Sequence, residues 1–212
     1  KFYMLAQKHP KRVVFPEGDH PKIIWAAAEI VEEKLAYPVL LVEDKKETIK
    51  QFEELNHSIE GIEIIEYLKT PYMDEFVQAY YNHRKRKGVT MRKAIKDMKN
   101  PYFFASMMVK LGYADAEVAG VNSTYPLVLS PALKVIGAEK DGVVSGVYYV
   151  NYGNNSYFLT DCAVNVDPTS EELADIVMNG VEAMERFRFT PKVAMLSYSN
   201  FGSVRDKESR KI

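Results

Sequence analysis

Two short hydroxyl-rich turns hold the residues of this sequence best suited to chemistry on an anionic ligand. The first, Gly120-Val121-Asn122-Ser123-Thr124, offers three side-chain donors beside the start of a predicted helix. The second, Ser197-Tyr198-Ser199-Asn200-Phe201-Gly202-Ser203, repeats the combination of hydroxyls, an amide and a glycine. A turn at a helix N-terminus leaves backbone N–H groups without intrahelical partners, and the helix dipole adds partial positive charge. A phosphate or carboxylate is stabilised there without any lysine. The plainer reading is N-capping, in which the hydroxyls satisfy only their own backbone, and by pattern alone capping is favoured. Other chemistries find no footing. The sequence has no P-loop lysine motif, no glycine-rich dinucleotide fingerprint, no Gly-x-Ser-x-Gly elbow and no histidine pair at metal-ligand spacing. His9, His20, His57 and His83 are scattered through charged or loop contexts. Asp115, Asp161 and Asp167 are candidate bases, although an aspartate at a strand end more often caps a turn.

Alternating strands and helices must position these turns. A β-rich run over 12–15 closes in Pro16-Glu17-Gly18-Asp19, and 21–36 keeps apolar residues Ile24, Ala27, Ala28, Val31 and Leu35 at helical spacing. An unbroken apolar run over 38–42 predicts a strand buried on both faces, Asp44 caps a charged helix, and 62–65 supplies a third strand. From Asp74 the pattern turns to consecutive helices, with the basic run His83-Arg84-Lys85-Arg86-Lys87 before Gly88, Thr90 as a cap, and Asn100-Pro101 opening a helix that Gly112 stops. A short buried strand is expected over 114–119 and a helix over 129–136. Gly153-Asn154-Asn155-Ser156 joins strand-like runs over 142–152 and 157–165 into a hairpin. Thr169-Ser170-Glu171-Glu172 is a capping box opening a long helix, and 192–196 reads as a further buried strand. Both hydroxyl-rich turns then follow strands, at the edge of an open α/β sheet where ligands bind. The fold class is α/β, a three-layer αβα arrangement with a mostly parallel sheet.

Size and charge narrow the function. The 212 residues carry a formal net charge of -1, which excludes the basic excess of a nucleic-acid footprint, and no apolar stretch is long enough to span a membrane. Cys162 is the single cysteine, so no intrachain disulfide forms and a reducing cytoplasm is the expected setting. The chain opens on Lys1 without a starting methionine, which predicts a piece of a longer polypeptide.

Several segments, in order, resemble the phosphate acetyltransferase/butyryltransferase family: Arg12-Val13-Val14-Phe15-Pro16-Glu17-Gly18, Lys110-Leu111-Gly112-Tyr113-Ala114-Asp115-Ala116 with Gly120, Pro131-Ala132-Leu133, and 191–203. The resemblance implies two α/β lobes around a cleft, like isocitrate dehydrogenase: a first lobe over 1–110, an inserted second lobe over 111–191 carrying the hairpin, and a lobe-junction strand and turn over 192–212, C-terminally incomplete. It implies acetyl-CoA, an acyl-CoA or an acyl phosphate as ligand, with Ser123, Thr124, Ser130, Ser199, Asn200, Gly202 and Ser203 in the cleft and no catalytic base assigned. It also implies a homo-oligomer, a dimer or higher. Family members typically place an arginine before Pro-Ala-Leu to hold phosphate, where this chain has Ser130, and they usually carry Ser-Thr-Lys-Gly-Ser at the second turn. The segments Tyr102-Phe103-Phe104-Ala105-Ser106-Met107-Met108, 160–169 and 197–203 look most like the acetyltransferase-like domain of bacterial NADP-dependent malic enzymes. That likeness implies a regulatory domain that binds acetyl-CoA and controls malate oxidation by an upstream malic enzyme domain, where NADP and a divalent metal, Mg or Mn, are held. No cofactor or metal is expected within these residues. The alternatives are a working phosphate acetyl/butyryltransferase and a structural dimerisation module.

Overall fold

The computed structural model describes residues 2–138, 142–200, 202–204 and 206–212; Phe201 of the second turn lies outside them. Contacts divide the chain into two compact units, Lys1–Gly137 and Ala138–Ile212.

The first unit is built on four parallel strands, β1 (Lys11–Phe15), β2 (Ala36–Val42), β3 (Glu63–Glu66) and β4 (Ala116–Glu117), in the order β3-β2-β1-β4. Register is set by Val14 opposite Val39, Leu40 opposite Ile64 and Val13 opposite Ala116. Strand β2 shows why the sheet is covered twice. Val39 and Leu41 join one apolar cluster, Leu40 and Val42 the other, because successive side chains leave a strand on opposite faces. Helices α2 (Pro21–Glu32) and α3 (Lys45–Glu54) cover one face through Ile24, Ala27 and Phe52. Helices α4 (Met73–Arg84), α5 (Met91–Met98), α6 (Pro101–Leu111) and α7 (Tyr125–Val135) cover the other through Phe76, Tyr80, Met98, Phe104 and Val135. This is the expected αβα architecture with a mostly parallel sheet. A short helix α1 (Phe2–Lys8) precedes β1. The expected caps are in place: the side chains of Asp44, Thr90 and Asn100 accept backbone N–H groups of α3, α5 and α6, and Gly112 ends α6 at φ +80°.

The second unit pairs β5 (Val147–Tyr152) and β6 (Asn155–Thr160) as an antiparallel hairpin under α8 (Ser170–Arg186), with α9 (Lys207–Lys211) at the end. Thr169 and Glu172 form the reciprocal capping box of α8. Gly180 of α8 lies so close to Thr160 that an added Cβ would stand 3.4 Å from the threonine methyl.

Several expectations change. The strand expected over 114–119 shrinks to Ala116–Glu117, because only Val13 and Val14 pair with it. Helix α7 starts at Tyr125 rather than 129 and contains Pro131, which has no N–H to donate. The run 142–152 is strand only from Val147. The apolar run 192–196 is no strand: it pairs with nothing among the described residues, and Leu196 is 82% exposed. Segment 111–137 also packs within the first unit, since β4 pairs with β1 and α7 lies against α6.

Candidate functional site

The site is organised by Glu17. Strand β1 ends at Phe15, and the following turn presses its backbone onto β2, where the Gly18 N–H donates to the Leu41 carbonyl at 3.1 Å. A Cβ on Gly18 would stand 2.7 Å from both Leu40 Cβ and the Leu41 oxygen, so only glycine permits the approach. Glu17 is thereby placed at the carboxyl end of β1, beside the chain leaving β4. Its Oε2 accepts the N–H groups of Gly120 at 2.7 Å and Val121 at 3.0 Å, and Oε1 accepts that of Asn122 at 2.9 Å and the Tyr102 hydroxyl at 3.1 Å. Burial alone would raise its pKa. The three backbone donors and the tyrosine outweigh burial and hold the carboxyl below its usual value.

The first turn therefore differs from both readings of it. Its backbone N–H groups do point at an anion, but the anion is Glu17, and no vacant nest is left for a phosphate. Capping is not the answer either, because Thr124 occupies the N-cap of α7 without a side-chain cap bond. The Ser123 hydroxyl instead pairs with that of Tyr102, whose ring is buried on α6. Ser123, Glu17, Asp19, His20, Glu43 and Tyr67 help line a cavity of about 180 Å³. Burial, then the Glu43 and Asp19 carboxylates, push the Tyr67 hydroxyl up to about 12. His20 is not a surface histidine in role: its Nδ1 accepts the Lys22 N–H and caps α2. Ser130 lies half-buried on α7, directly before Pro131.

The second turn, in the other unit, is closed on itself. Ser197 Oγ accepts the Ser199 N–H at 3.1 Å, Ser199 Oγ accepts the Val204 N–H at 3.1 Å and donates to the Val204 carbonyl at 3.2 Å, and the Ser203 N–H donates to Asn200 O at 3.0 Å. Gly202 supplies a left-handed φ of +73°. The seven predicted site residues thus divide, with Ser123, Thr124 and Ser130 in the first unit and Ser199, Asn200, Gly202 and Ser203 in the second. A cavity of about 540 Å³ in the second unit is lined by α8 residues such as Leu173 and Ile176 and by 192–196.

Two of the three candidate bases, Asp115 and Asp167, are tied down. Asp115 accepts the Arg12 N–H at 2.9 Å and pairs with Lys11, while Lys211 and Lys207 hold Asp167 down to about 2. The carboxyl with the opposite behaviour is Glu117 on β4. Burial pushes it up to about 7 against the Ser106 hydroxyl, which donates to Oε2 at 2.8 Å; Oε1 is buried without a hydrogen-bond partner among the described residues. Residue-by-residue reading missed Glu17, Tyr102 and Glu117. The signal available for Glu17 was its place directly after a strand, at the ligand-binding edge, ahead of a glycine.

A family profile described as phosphate acetyl/butaryl transferase matches residues 2–212. The chain belongs to this family. It is 35% identical over 215 residues to a phosphate acetyltransferase of Clostridium acetobutylicum, covering 98% of this chain and 64% of that protein. It is 33% identical over 208 residues to the phosphate acetyltransferase of Nitratidesulfovibrio vulgaris, covering 98% of this chain and 29% of that one. Among solved structures, a phosphotransacetylase from Streptococcus pyogenes superposes with a TM-score of 0.91 at 29% identity, covering all of this chain and 64% of the other. The EutD phosphotransacetylase from Staphylococcus aureus gives 0.87 at 29% identity, covering 99% and 63%. The chain thus spans less than two thirds of these relatives' length. These relatives overturn the regulatory reading. They are phosphate acetyltransferases, none of them a malic enzyme, so the malic enzyme branch, its upstream partner and its NADP and metal are withdrawn. The likeness behind that reading rested on three short segments, whereas these matches span the chain. Among the described residues no helix is long and apolar enough to cross a membrane.

Proposed function

We propose that this chain is part of a phosphate acetyltransferase that interconverts acetyl-CoA and phosphate with acetyl phosphate and CoA. The observation that carries this reading is the match to phosphate acetyltransferases over nearly the whole chain, with the family profile running from residue 2 to 212. In the forward direction a phosphate oxygen attacks the thioester carbonyl carbon. A C–O bond forms, the C–S bond breaks, and the sulfur leaves with the electron pair and takes up a proton. The enzyme's contribution is to hold both reactants in line and to offer donors to the oxyanion that develops on the carbonyl oxygen. Ser123, Thr124 and Ser130 in the first unit and Ser199, Asn200, Gly202 and Ser203 in the second are the residues assigned to the ligands. Glu17 is excluded as the base, since four donors occupy its carboxylate oxygens and lower its affinity for a proton. Assembly as a homo-oligomer belongs to the same proposal, supported by the exposed apolar side chains Val166 and Leu196 and checked by sedimentation velocity.

The test is phosphate-dependent thiol release from acetyl-CoA by the protein in its full natural length, with acetyl phosphate measured in the same samples. Equal rates of thiol and acetyl phosphate formation support the proposal. Thiol release that ignores phosphate, or none at all, overturns it.

A further inference from the structure

The hydrogen bonds at Glu17 have one consistent direction. Both carboxylate oxygens already accept backbone N–H groups, so the carboxylate has no hydrogen to offer and the Tyr102 hydroxyl must donate to it. A phenol carries a single hydrogen. With that hydrogen on Glu17, the Tyr102 oxygen meets Ser123 as an acceptor, and the Ser123 hydroxyl is the donor of their bond. The serine's own hydrogen is thus engaged, and only lone pairs remain for a ligand.

The cavity beside it points the same way. Its wall carries the carboxylates Glu17, Asp19 and Glu43 and neither a lysine nor an arginine. A phosphate entering there would meet like charge, whereas an N–H group would meet acceptors.

We propose that Tyr102 is a positioning residue that fixes Ser123 as a hydrogen-bond acceptor, and that the cavity at Ser123 receives an amide N–H of the acyl-CoA arm rather than the phosphate. This rests on the proposed function for the identity of the ligand; the direction of the hydrogen bonds does not. It reverses the role of an anion donor that the residue type suggests for Ser123.

Two measurements test it. With fluorotyrosine placed at position 102, fluorine NMR follows the titration of that hydroxyl with and without Ser123→Ala. If Ser123 donates to Tyr102, its removal takes a donor from the phenolate, and the titration moves to higher pH. A move to lower pH means that Tyr102 donates to Ser123 and overturns the polarity. In steady-state assays of the full-length protein, Ser123→Ala is expected to raise KM for acetyl-CoA about 5- to 10-fold, as loss of one hydrogen bond does, and to leave KM for phosphate unchanged. Tyr102→Phe, which keeps the ring and frees the serine to turn, should shift the same KM in the same direction with a smaller effect on kcat. A rise in the phosphate KM for either variant overturns the ligand assignment. A wild-type protein without phosphate-dependent turnover would overturn the proposed function and the ligand assignment together, while the sign of the titration would still decide the polarity of Ser123.

Discussion

The turn at 120–124 and the turn at 197–203 share a glycine, an asparagine and hydroxyl side chains, yet they are held by different means. The first is tied to Glu17, 105 positions from Asn122, and to Tyr102, 21 positions from Ser123. In the second, among the described residues, the hydroxyls of Ser197 and Ser199 bond within five positions. A long-range anchor requires the sheet to bring two strand ends together first, and here the parallel pairing of β1 with β4 does so. A local turn needs no such help, because serine side chains readily bond backbone groups a few residues away, here two for Ser197 and five for Ser199. The same kinds of polar residue therefore yield a turn whose order depends on tertiary structure and one whose order does not.

The largest expected effect comes from removing the anchor. Glu17→Ala leaves three backbone N–H groups and a tyrosine hydroxyl without their acceptor. About 3–5 kcal/mol of first-unit stability should be lost: bonds to a charged acceptor are each worth about 1.5–3 kcal/mol, and water takes over part of them at the exposed Gly120 and Asn122. Urea unfolding measures the loss, and amide exchange at Gly120, Val121 and Asn122 should quicken selectively. Unchanged exchange there would erase the distinction between the turns.

Glu117 sharpens the contrast by giving the first unit a pH dependence. Its folded value of about 7 lies above the usual 4.5, so the folded state keeps a proton that the unfolded chain releases. The Glu117 contribution is then full below pH 4.5 and falls as pH rises to about 7, by about 3 kcal/mol in all. Glu117→Gln should abolish that slope and stabilise the protein above pH 7, as read from Tm against pH; an unaltered slope would show that Glu117 ionises freely. Glu17 runs in the opposite sense. Its lowered value means stability that is present above pH 4.5 and lost as pH falls through the folded value, so acid should loosen the 120–122 amides before those of the second turn. The smallest effect belongs to Ser199→Ala, about 1 kcal/mol or less, because its bonds are local and exposed; faster exchange at the Val204 amide should accompany it.

What was legible in the sequence follows the same division. Asp44, Asn100 and Thr169 announce their helices because a cap bonds within three residues, and the apolar run 38–42 announces a strand covered on both faces because every position is buried alike. The run 192–196 carries the same apolar signal and misleads, since pairing depends on a neighbour that the run itself does not specify. At the site, the turn and its hydroxyls could be found locally. Its anchor could not, because no spacing rule connects Glu17 to Asn122; only the strand order does. Glu117 looked like an ordinary strand residue until the burial around it raised its pKa, against the opposing hydrogen bond from Ser106 on α6.

An internal carboxylate in the amide nest has a consequence for how a ligand is met. The conformational entropy of residues 120–122 is given up when the chain folds rather than when a ligand arrives. A molecule reaching Ser123 therefore meets a wall that needs no ordering, so its affinity is not reduced by organising that loop, and its arrival does not wait for the loop to close. Part of the free energy of folding is in this way converted into readiness for binding that exists before any ligand is present.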